Sequence, residues 1–125
     1  MFAGEVGLES DTAFRLAQGL GAGLARTDGT CGVINSAALV IGLRVPADAN
    51  YAARRERVYA LVQEFVHIFR EQHGVVSCPE LLGCSLSTPD GRARARETAV
   101  CDRVCPEMVA SAVTILEGLF QKAGL

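Results

Sequence analysis

The chain has 125 residues, 50% of them hydrophobic and 21% charged, and a formal net charge of −2. That is enough for one folded domain with a real core, spanning 1–125, and too little for two. Without a basic excess nucleic acid is excluded as a partner, and the longest uncharged apolar run, Cys31 to Leu43, is too short for membrane insertion. The opening Met1-Phe2-Ala3-Gly4-Glu5 has neither the basic start nor the apolar segment of a secretory signal, so a cytoplasmic location is expected.

Period-3.6 patterns recur along the chain and β-branched alternation is missing, which predicts an all-α fold. Met1-Phe2-Ala3 reads as the tail of a helix. Ser10 or Asp11 can cap a short helix carrying Phe14, Leu16 and Leu20, which Gly19, Gly21 and Gly23 then break. Thr30 is expected to cap the next helix, about 31–43, stopped before Pro46. Its faces are nearly all apolar, so it reads as the buried central helix of a compact bundle of about five to six.

A long amphipathic helix is predicted from about Ala49 to His73, with Val58, Leu61, Val62, Phe65 and Phe69 in one stripe and Gly74 as its C-terminal stop. Ser77-Cys78-Pro79-Glu80 has the form of a capping box with proline in the first turn, and Thr88-Pro89-Asp90 opens another helix by the same device. Proline inside a helix costs about 3 kcal/mol, so Pro106 is expected to end that helix and begin the last one near Cys105. Val109, Ala112, Val113, Leu116 and Phe120 would face inward.

The five cysteines are Cys31, Cys78, Cys84, Cys101 and Cys105. Cys31, Cys78 and Cys105 each fall at an expected helix start, where unpaired N–H groups and the helix dipole favour thiolate over thiol. Lowered pKa values would suit a nucleophile, a metal ligand or a redox thiol, whereas packed cysteines would be inert. No Cys-x-x-Cys is present, so any shared site must be assembled by tertiary folding. Pro106 argues against Cys101 and Cys105 sharing one helical face. The glycines of Gly19-x-Gly21-x-Gly23 follow no strand and precede no lysine, so they read as turns rather than a phosphate loop. His67 and His73 match no metal-binding helix spacing, and Arg92, Arg94 and Arg96 read as a solvated face.

The order of these segments resembles a known family. A glycine cluster leads into T-C-G-V-I-N-S-A-A-L-V-I-G-L, then L-V-Q-E-F-V-H-I-F-R-E-Q-H-G, S-C-P-E-L-L-G-C-S-L-S-T-P-D-G and C-P-E-M-V. This is similar to the bacterial and archaeal C_GCAxxG_C_C family, to which a redox role is ascribed. The resemblance matches Cys31, Cys78 and Cys105 to three of the family's four cysteines, and this chain begins after the position of the first. It departs from the family at Val33 and Ser36, where small residues are typical.

The resemblance implies redox activity on Cys31, Cys78 and Cys105. In one form these three, with Cys84 as the fourth ligand in preference to Cys101, would hold an iron–sulfur cluster or zinc for electron transfer. In another, no metal is involved: Cys31 is the nucleophile and Cys78 or Cys105 its resolving partner in thiol–disulfide exchange. A third reading is a non-catalytic helical dimerisation or interaction domain with packed cysteines. Self-association as a homo-oligomer is expected, with a redox partner left unidentified.

Overall fold

A computed structural model describes residues 2–125, and all the regular structure among them is helical. The elements are α1 (Phe2–Glu5), α2 (Ser10–Ala17), a 3₁₀ turn at Gln18–Leu20, α3 (Gly21–Arg26), α4 (Gly32–Arg44), α5 (Tyr51–His73), α6 (Cys78–Leu82), α7 (Pro89–Thr98) and α8 (Val100–Ala123). None of these helices is long and apolar enough to cross a membrane.

The core lies where α4, α5 and α8 pack pairwise. Ile34, Ala37 and Ile41 of α4 meet Leu61, Phe65 and Phe69 of α5 and Met108, Ala112, Ile115, Leu116, Leu119 and Phe120 of α8. Phe65, Phe69 and Ile41 are fully enclosed, so the stripe expected on α5 is the one that is buried. The apolar excess of α4 is not all inside: Leu39 and Leu43 stay half-exposed. Asn50 caps α5 by accepting the Ala53 N–H at 3.0 Å, and Gly74 ends it at φ +79°. A second small cluster of Cys78, Leu82, Ala95 and Val100 seats α6 and α7 against the start of α8.

Three local expectations are corrected. Thr30 does not cap α4: the N-cap is Cys31 and no side chain caps it, because Thr30 is engaged in an isolated antiparallel bridge with Ser77. Val109, expected to face inward on the last helix, is 50% exposed, whereas Ala112, Leu116 and Phe120 are buried as expected. Pro106 does not end a helix either. The break falls at Ala99, which adopts a left-handed conformation at φ +52°, and α8 runs through Pro106 without interruption. The proline removes the N–H that would reach the Asp102 carbonyl. Asp102 is exposed, so water can satisfy that carbonyl, while seven buried residues hold the 24-residue helix in place.

Candidate functional site, a cysteine-lined groove

The Thr30–Ser77 bridge aligns two cysteines. The Cys31 N–H donates to the Val76 carbonyl at 2.8 Å, and the Cys78 N–H donates to the Gly29 carbonyl at 2.9 Å. The starts of α4 and α6 are thereby tied together, although the two cysteines are 47 positions apart in the chain. Ser77 caps α6 as expected: its hydroxyl accepts the Glu80 N–H at 3.4 Å and donates to Glu80 Oε1 at 2.7 Å.

The glycine segment packs over this junction. From Ala22 to Arg26 every φ is positive, between 51° and 68°, so α3 winds left-handed. This brings the Gly23 backbone so close that a Cβ there would lie 2.7 Å from Cys78 Cβ. Gly32 is equally constrained, since a Cβ would come within 2.5 Å of the Leu20 carbonyl oxygen. These glycines therefore serve close approach, as turns around a helix start.

Beneath them is an open, apolar groove of about 460 Å³. Its walls include Cys31 at the start of α4, Cys78 of α6 and Cys101 and Cys105 of α8, with Val33, Val40, Val109, Val113 and Leu116 among the rest. The cysteines expected at Cys31, Cys78 and Cys105 thus share one groove. Cys84 does not line it; it packs half-buried against the α6–α7 cluster. Its place is taken by Cys101, which the expected helix break at Pro106 had set aside. With α8 continuous, Cys101 in its first turn and Cys105 in its second lie four apart on one face. That spacing was the available signal.

The electrostatics overturn the expectation of generally lowered thiol pKa values. Cys78 is pushed up to about 11, first by burial and then by the neighbouring Cys31, Cys105 and Cys101. Cys105 is also raised: although much of the residue is exposed, its thiol is partly desolvated at the groove wall, and Cys101 and Cys31 follow as causes, with a hydrogen bond to the Cys101 side chain adding to the effect. The helix start at Cys78 has little to offer its sulfur. The Cys78 N–H is spent on Gly29, Pro79 has none, and the Glu80 N–H is spent on Ser77. Cys105 is not at a helix start at all.

All five cysteines are free thiols, and Cys105 is the exposed one among them. Among the described residues no three His, Cys, Asp or Glu side chains form a group that could hold a metal ion. His73 bonds Ser111 Oγ through Nε2 at 2.8 Å, and exposed His67 lies 3.4 Å from Glu71. What the groove offers is several thiols, near one another and open to a reagent.

A family model described as "Putative redox-active protein (C_GCAxxG_C_C)" matches residues 1–119. No curated protein and no solved structure matches the chain.

Proposed function

Since the chain belongs to the C_GCAxxG_C_C family, we propose that it is a thiol–disulfide redox protein, with Cys101 and Cys105 as the working dithiol. Cys31 and Cys78 form a deeper pair in the same groove. The observation that supports this is the gathering of four thiols along one open, apolar groove, two of them on a single face of α8.

In the reaction, a Cys101 or Cys105 thiolate attacks one sulfur of a disulfide-bearing partner. The partner's S–S bond breaks, its leaving thiolate takes up a proton, and a mixed disulfide forms. The second cysteine then attacks the protein sulfur of that mixed disulfide and releases the other partner thiol. The balance is protein dithiol plus partner disulfide giving protein disulfide plus two partner thiols. Closing a bond between i and i+4 requires the Cβ atoms to approach from about 5–6 Å to about 4 Å. The missing Pro106 N–H leaves that turn one hydrogen bond short, which eases the adjustment.

The test is thiol counting with peptide mapping. Mild oxidation should remove two thiols reversibly, with the bond mapped to Cys101–Cys105 and abolished in either serine variant. A reversible Cys31–Cys78 bond instead would move the redox work to the inner pair. Five thiols indifferent to oxidant would leave the packing reading. Stoichiometric iron with sulfide, or zinc, in anaerobically purified protein and lost in Cys78→Ser would establish the metal-ligand reading instead.

A further inference from the structure

Cys101 faces two depressions. Besides the apolar groove it lines a second recess of about 480 Å³, which shares Ala22 and Leu86 with the groove. The walls of this recess are of opposite character, for they include three arginines, Arg26 from the left-handed turn and Arg92 and Arg96 from α7. One carboxylate, Asp102, is also present, so the recess keeps a surplus of positive charge. None of the three guanidinium groups is in a salt bridge among the described residues. Arg92 is held in place by donating from Nη1 to the Leu86 carbonyl at 3.0 Å. Arg26 and Arg96 are exposed, and both line the recess. Arginines free of salt bridges around a concavity of small-ligand size are suited to carboxylates, which arginine binds through paired N–H donors.

We propose that this recess binds the carboxylates of a small anionic disulfide and presents its sulfurs to Cys101. This rests on the thiol–disulfide reading above and gives it a substrate class: a low-molecular-weight disulfide carrying two or more carboxylates. A small molecule is favoured over a folded protein because Cys101 is half-buried where two depressions meet, not on a projecting surface. With the carboxylates on the arginines, the Cys101 thiolate attacks the nearer ligand sulfur. The ligand S–S bond breaks and the distal half leaves as a thiolate that takes up a proton. Cys105 then displaces the bound half, so one disulfide has become two thiols and the protein dithiol a disulfide.

The experiment separates recognition from chemistry. S-methylglutathione, which carries two carboxylates but no exchangeable sulfur, is titrated into the reduced protein by calorimetry. Saturable binding is expected, weakened severalfold between low and physiological salt and about tenfold by Arg26→Gln combined with Arg96→Gln. Arg94→Gln, on α7 but outside the recess, should bind as the wild type does. Absence of binding at millimolar probe, or binding indifferent to the double variant, overturns the proposal. In parallel, the reduced wild-type protein is oxidised with oxidised glutathione and with the neutral hydroxyethyl disulfide. A rate advantage of at least tenfold for the anionic reagent, shrinking with salt, is expected; equal rates also overturn the recess. If neither disulfide reacts, the redox reading fails, and the calorimetric result still decides whether the recess binds carboxylates.

Discussion

Cys78 holds its proton more firmly in the folded protein than in the unfolded chain. Its pKa rises from the ordinary 9.0 to about 11, so between those values the native state binds more protons and loses stability as pH climbs. The contribution is complete below about pH 9 and gone above about 11, and two pKa units amount to about 3 kcal/mol. Urea unfolding of wild type and Cys78→Ser across pH 8 to 11 should show the wild-type curve falling more steeply by about that amount. The raised Cys105 acts in the same direction on reactivity: its alkylation should be slow at neutral pH and still accelerating above pH 9. Gly23 sits at φ +66° against Cys78 Cβ. Gly23→Ala should therefore cost about 2 kcal/mol or more, combining left-handed strain with overpacking. Gly118→Ala, in a helix where a Cβ meets nothing within 4 Å, should be neutral or stabilising. Cap residues at this scale were legible where the partner is local, as with Ser77 and Thr88. Thr30 has the same chemistry, but its backbone is taken by Ser77, and no local signal announces a pairing across 47 residues.

At the scale of elements, α8 decides the site. Propensity alone breaks it at Pro106, yet the packed face from Met108 to Phe120 outweighs one proline, and the break moves to Ala99. That exchange is what concealed Cys101. Pro106→Ala restores a backbone N–H toward Asp102 and should stabilise the fold by about 1–3 kcal/mol in urea titration. The same change stiffens the turn between Cys101 and Cys105, so their disulfide should become easier to reduce, read as a less negative potential against a glutathione buffer. Ala99→Gly, at φ +52°, should stabilise by up to about 1 kcal/mol. The helices themselves were readable from periodicity, except the left-handed α3. Its glycines predict turns, but Ala22, Leu24, Ala25 and Arg26 carry no sign of positive φ.

At the scale of the whole molecule, exposed Phe14 and Leu16 on α2 and half-exposed Val109 beside the groove leave apolar surface outside the fold. Self-association is the expected outcome, seen in sedimentation velocity as growth with concentration and reversed by Phe14→Ser with Leu16→Ser. A monomer at all concentrations would remove that expectation. The left-handed turn over the thiols also has a kinetic consequence. L-residues in that conformation cost about 1–2 kcal/mol each, and Ala22, Leu24, Ala25 and Arg26 are consecutive but for Gly23. A segment carrying that load opens well before the α4–α5–α8 core does. Buried Cys78 is therefore reached through a local gate: its labelling should proceed at a rate insensitive to low urea, while core amides of α8 exchange only through global unfolding.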